Sequence, residues 1–258
     1  MATATKNEEY YVVKANDLIQ NTRYNLSVQQ QKIILYAVSK IRPLDPPSTE
    51  YEFSILDFCH DCGYKVDDGG YYYASIRKDI KELTRRQWCT LPDGDEMTIS
   101  WIGDAKLSKR SGTVKITFNP HMGKYLFYLC NNYTQYRLGE VLKFDYKYSI
   151  RLYELCRSHY YKPRYDNGQL TEVSYLLDDI RNLFMVKYAR WTDLKRFVID
   201  PSIEEINEKS SDLTVGYVPY YEGKKVIGIT LRMRRNPYNR FSKLGKKLDA
   251  MAKGRNIE

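Results

Sequence analysis

Ser75-Ile76-Arg77-Lys78-Asp79-Ile80-Lys81-Glu82-Leu83-Thr84-Arg85-Arg86 is the stretch on which the fold turns. Ile76, Ile80 and Leu83 recur at i, i+4 and i+7, the spacing of one helix face that packs inward. The predicted helix covers 72–86. Arg77, Lys78, Lys81 and Arg85 lie away from the apolar stripe. Such a face neutralises phosphates, and Arg also bonds guanine O6 and N7. An ordinary solvated helix has the same composition, so the neighbours decide. Residues 97–102 and 114–118 alternate like the strands of a hairpin. The predicted loop between them carries Lys106, Lys109, Arg110, Ser111 and Gly112.

Upstream, Asn25-Leu26-Ser27 caps a predicted helix to residue 41, ended by Pro43, Pro46 and Pro47. Residues 51–53 read as a strand. Ser54 caps a short helix through Cys59 that closes near Gly63. The order is helix, strand, helix, helix, hairpin, with a short apolar helix at 122–130 behind it. The order then restarts. A helix is expected at 148–160, a strand at 170–173, a helix at 175–184 capped by Ser174, and a basic helix from Trp191. A second hairpin is expected from 213–219 and 225–233 around Tyr221-Glu222-Gly223. Phe53 corresponds to Val173 at an offset of 120, Ile76 to Leu194 and Ile80 to Val198 at 118. A near-constant offset indicates a duplicated unit.

This element order is that of a winged helix, a helix-turn-helix variant whose hairpin lies beside the recognition helix. The expected fold class is α+β: two tandem winged-helix domains related by pseudo-duplication. In the second unit Trp191, Leu194 and Val198 form the apolar stripe, and Lys187, Arg190, Lys195 and Arg196 supply charge. Asp200-Pro201 reads either as the start of a new helix or as a kink in one that continues through Ile206. Glu204, Glu205 and Glu208 beyond it repel phosphates, so DNA contact is expected only before Asp200. Lys224 and Lys225 fit the second wing.

The net charge of +9 is unevenly placed. Residues 1–140 hold 18 Lys/Arg against 17 Asp/Glu, and 141–223 hold 12 against 13. Residues 224–258 hold 11 against 2, so the excess belongs to the end of the chain. The DNA-binding expectation therefore rests on local clusters. Cys59, Cys62, Cys89, Cys130 and Cys156 form an odd, scattered set, as expected in a reducing cytoplasm. Cys59-His60-Asp61-Cys62 has the spacing of half a zinc site, but the other half is missing. No apolar run approaches the roughly 20 residues of a membrane span. There is no phosphate-binding GxxxxGK[ST] loop and no HExxH. His60, His121 and His159 are scattered, so no His-x-His motif positions a metal for a nicking tyrosine. No catalytic residue, metal or cofactor is expected.

The chain resembles the iteron-binding replication initiators of theta-replicating plasmids. The resemblance covers residues 12–233 and is carried by four segments. They are Val12-Val13-Lys14-Ala15-Asn16-Asp17-Leu18-Ile19, Leu26-Ser27-Val28-Gln29-Gln30-Gln31-Lys32-Ile33-Ile34, Phe144-Asp145-Tyr146-Lys147-Tyr148-Ser149-Ile150-Arg151-Leu152-Tyr153-Glu154-Leu155, and the run Leu194-Lys195-Arg196-Phe197-Val198-Ile199-Asp200-Pro201 that continues to Asn207. It implies an N-terminal domain at 10–138 for backbone contacts and dimerisation, and an origin-reading domain at 139–236. A basic tail at 237–258 lies outside it. It further implies directly repeated origin DNA as partner, a monomer–dimer equilibrium, dimer autorepression, and recruitment of a host helicase or initiator. A winged-helix transcriptional repressor and a nicking-joining endonuclease are the alternatives.

Overall fold

The computed structural model describes residues 10–64, 70–85, 87–90, 95–160 and 170–235, the last residue and 87–90 as backbone only. Arg86 and the tail at 237–258 lie outside them. The first half runs β1 (Tyr11–Ala15), α1 (Asn16–Gln20), α2 (Val28–Val38), β2 (Tyr51–Ser54), α3 (Ile55–Asp61) and α4 (Tyr71–Leu83). Then come β3 (Gln87–Thr90), β4 (Glu96–Ile99), β5 (Ile102–Ser108), β6 (Thr113–Phe118) and α5 (Gly123–Leu126). The caps follow from sequence. Ser27 and Gln30 form a reciprocal capping box on α2, and the Ser54 side chain accepts from the Asp57 N–H at 3.2 Å.

The second half runs β7 (Tyr133–Arg137), α6 (Leu138–Leu142), α7 (Ser149–His159), β8 (Thr171–Leu176) and α8 (Leu177–Phe184). A long helix follows, made of α9 (Trp191–Leu194), a wide π turn (Lys195–Ile199) and α10 (Asp200–Lys209). β9 (Leu213–Glu222) and β10 (Lys225–Arg235) close it.

The two three-stranded sheets have one topology, β2-β6-β5 and β8-β10-β9. In each, the first strand pairs with the last, which pairs with the middle one. Tyr51 lies opposite Ile116, and Thr171 lies opposite Met233. The repeat reaches further than the sequence offsets did. β7 starts 122 residues after β1, α7 121 after α2, and β8 120 after β2. Among the described residues the β3–β4 hairpin has no counterpart in the second half.

The halves are joined through corresponding elements. β1 pairs antiparallel with β7, from Tyr11↔Arg137 to Ala15↔Tyr133. α1 packs on α7 while α2 packs on α6, a reciprocal arrangement of the kind a two-fold axis produces. Lys14 of β1 donates to Glu154 of α7 at 2.7 Å, both nearly fully buried, and Tyr136 of β7 donates to the same carboxylate. Arg151 of α7 reaches the Thr22 carbonyl at 3.0 Å and the Tyr24 hydroxyl. Burying ions is costly, so the interface requires each to find its partner. One continuous apolar core runs through both halves.

The structure corrects several local expectations. Residues 97–102 are not one strand: β4 ends at Ile99 and pairs with β3, while β5 begins at Ile102 and pairs with β6. Lys106 therefore lies on β5, not in the loop. Ser174 caps nothing. It sits in β8, its hydroxyl 2.8 Å from that of Thr230, and α8 starts only at Leu177. α4 ends at Leu83, where Thr84 turns its hydroxyl back to the Lys81 carbonyl. Burial pushes the Cys59 and Cys62 thiols up to about 11 and about 12. Among the described residues no cluster of three metal-binding side chains occurs, and no helix is long and apolar enough to cross a membrane.

Candidate nucleic-acid interface

α4 is docked by its apolar stripe, with Ile76, Ile80 and Leu83 fully buried. Two polar contacts fix its rotation on α2. Ser75 donates to the Gln29 side chain at 2.8 Å, and Gln30 donates to Asp79 at 3.2 Å. Burial pushes the Asp79 carboxyl above its ordinary value. Arg77, Lys78, Lys81 and Arg85 are exposed. Arg85 is held by Glu82 at 2.6 Å; among the described residues no ion pair engages the other three.

The first wing is the β5–β6 hairpin. Lys109 and Arg110 are exposed at its turn, where Gly112 takes a left-handed φ of 65°. Lys106 is exposed on β5 opposite Lys115. That like-charged pair is tolerated because Glu50 and Glu52 hold Lys115 at 3.1 and 3.6 Å.

The second half presents a different helix. Of the two readings of Asp200-Pro201, the single continuing helix holds: the chain stays helical from Trp191 to Lys209, and a π turn is the irregularity beside the proline. Pro201 has no N–H to give the Phe197 carbonyl, four residues back. The Asp200 N–H bonds the Lys195 carbonyl, five residues back, and opens the π turn. The Tyr146 hydroxyl donates to the orphaned Phe197 carbonyl. Val198 and Ile199 then both face inward, while Lys195, Arg196 and Phe197 are exposed in succession.

The cations here are partly committed. Lys195 pairs with Asp200 at 2.6 Å and Arg190 with Asp193 at 3.4 Å. Tyr217 of β9 donates to the other Asp200 oxygen at 2.8 Å. Arg196 and Lys187 are exposed, and no ion pair holds them among the described residues. Lys224 and Lys225 are exposed at the tip of the second wing, where Gly223 has a φ of 59°. Lower on that hairpin the Tyr220 ring lies across Gly228, occupying the space any Cβ would need.

Behind Asp200 the helix is clamped. Glu205 accepts from the Asp145 and Tyr146 N–H groups at 2.8 and 3.0 Å and from Lys209 at 2.9 Å. Burial opposes its charge, yet these hydrogen bonds hold its carboxyl below the ordinary value. Asp145 also faces Lys32 of α2 at 3.3 Å, so the loop between α6 and α7 ties the second helix to the first half. Glu205 therefore does not face outward as a bare charge, whereas Glu204 and Glu208 are exposed. Sequence reasoning missed two groups on the outward side, Phe197 and Tyr188. Their rings stack at 5.5 Å with 25° between planes. The proline four residues after Phe197 was the available signal.

Comparison with known proteins follows the same division. The model described as Initiator Replication protein, WH1, matches residues 11–157, and that described as Initiator Rep protein, WH2, matches 176–233. A replication initiation protein of Escherichia coli is 25% identical over 209 residues, which is 79% of this chain and 64% of that protein. The crystal structure of Pi initiator protein in complex with iteron DNA superposes with a TM-score of 0.75 at 17% identity. That superposition covers 90% of this chain and 99% of the other, a likeness of fold.

Proposed function

The chain belongs to the initiator replication protein family, with its two winged-helix domains, and on that premise we propose that it is a sequence-specific duplex-DNA-binding replication initiator acting on directly repeated origin sites. One observation carries this: the same strand-helix-helix-hairpin unit occurs twice, and each copy sets an exposed cationic helix face ahead of a hairpin with cations at its turn. A recognition helix enters the major groove, about 12 Å wide, while a wing tracks the neighbouring backbone. Arg77, Lys78, Lys81, Arg85, Lys106, Lys109 and Arg110 serve phosphate contacts in the first domain, 10–138. Lys187, Arg190, Lys195, Arg196, Lys224 and Lys225 serve the reading domain, 139–236. The protein acts in the cytoplasm by binding, without covalent chemistry. It opens the origin and recruits host replication proteins as a monomer, and it represses its own promoter as a dimer.

The test places the gene with its flanking DNA on a molecule that otherwise cannot replicate. Replication in transformed cells, with nuclease protection of repeats of about 20 base pairs, is the expected result. Binding and repression without replication would leave a transcriptional repressor. A covalent protein–DNA product on supercoiled origin DNA with divalent metal would make it a nicking enzyme instead.

A further inference from the structure

We propose that Phe197, backed by Tyr188, reads the C5-methyl group of a thymine in the major groove beside the base bonded by Arg196. This rests on the reading of the chain as a duplex-DNA-binding initiator and adds an apolar element to it.

A large apolar side chain on a cationic, water-facing helix turn calls for an explanation. Phe197 is 41% exposed, although every residue from Leu194 to Ile206 that faces inward is well covered. Its position is built. A π turn lies just before Pro201, and the Tyr146 hydroxyl donates to the Phe197 carbonyl, whose ordinary donor four residues on the proline removes. Its partner ring is anchored as well. Arg181 of α8 donates to the Tyr188 carbonyl at 2.7 Å and to the Ala189 carbonyl at 2.8 Å. The Arg196 guanidinium lies 5.2 Å from the Phe197 ring centroid, so the charged and apolar tips travel together.

In the major groove only thymine offers an apolar group, its methyl, and apolar side chains recognise it by contact. An ordered ring pair loses little freedom on meeting it, unlike a long flexible side chain. Cytosine and uracil lack that methyl, so this contact discriminates without a hydrogen bond.

The experiment uses the full chain and a duplex it selects from a random-sequence pool. Each thymine of the selected site is replaced singly by deoxyuridine, and affinities are measured for the unaltered chain and for Phe197→Ala. Burial of one methyl group leads us to expect a roughly fourfold loss at one thymine for the unaltered chain. Phe197→Ala should bind the thymine site more weakly but show no further loss with uracil there. Its urea-unfolding midpoint, read beside the affinities, separates any change in the fold from loss of the contact, and the comparison of thymine with uracil within each protein cancels a general weakening. Equal thymine-to-uracil losses in both proteins at every position would overturn this inference alone. Failure of the unaltered chain to select any sequence would overturn the proposed function and this inference with it.

Discussion

The two halves share a fold but present their cations differently. On α4, Arg77, Lys78 and Lys81 stand exposed with no ion pair among the described residues, and the helix is regular to its end at Leu83. On the second helix, Lys195 and Arg190 are tied to carboxylates of their own helix, a π turn interrupts the backbone, and a ring sits among the charges. Free, mobile cations suit the uniform charge of a phosphate backbone, which needs no fixed geometry. A shaped turn that fixes where Arg196 and Phe197 stand suits base edges, which do. On the proposed reading, the two copies of one scaffold are fitted by local chemistry to separate tasks.

The strongest way to break this comparison is to ask whether the halves are separable at all. Glu154→Ala leaves Lys14 buried and uncompensated between them, an expected loss of about 3–5 kcal/mol. Urea unfolding followed by two probes should show one shared transition at lower denaturant; separate transitions in the unaltered chain would mean independent domains. A smaller effect distinguishes corresponding helices. α2 has the Ser27 capping box, whereas its counterpart α7 has no side-chain cap. Ser27→Ala should cost about 1 kcal/mol in the same assay, and a value near zero would remove the capping box from the first half's stability.

Acid should loosen the clamp that binds the second helix to the first half. The Asp145 and Glu205 carboxyls are both held below their ordinary values, each despite burial. Groups with depressed values stabilise fully above the unfolded value and lose that contribution as pH falls through the folded one. Stability from the clamp is therefore intact at neutral pH and fades below about pH 4. Lys209→Met should flatten that acid dependence in unfolding measurements. The smallest effect belongs to Arg85→Ala, which removes an exposed pair with Glu82 and should change stability by less than about 0.5 kcal/mol.

Much of this was legible in the sequence, and the exceptions have causes. The stripe Ile76, Ile80 and Leu83 and the caps at Ser27 and Ser54 are local signals, and they formed as spaced. The alternation through Met97 to Ile102 hid a change of partner at Ser100-Trp101, because period-two patterning does not say which strand lies alongside. Ser174 looked like a cap, yet its hydroxyl serves equally in a strand facing Thr230. The β1–β7 pairing joins residues more than a hundred positions apart and leaves no local mark. Lys14, Glu154 and Arg151 are buried only because each meets its partner across the interface. Phe197 was overlooked because the π turn shifts the helical register by one residue.

The division of labour is tested most directly by the ratio of affinities for a selected duplex and for an unselected one. Arg196→Ala should lower binding to the selected duplex by about 1–3 kcal/mol and shrink that ratio accordingly. Replacing Arg77, Lys78 and Lys81 together with alanine should weaken both duplexes alike and make the slope of log K against log salt less negative by roughly 3. The ratio should then stay as it was. A collapse of the ratio in the α4 triple variant, with Arg196→Ala leaving it untouched, would contradict the assignment of base reading to the second half.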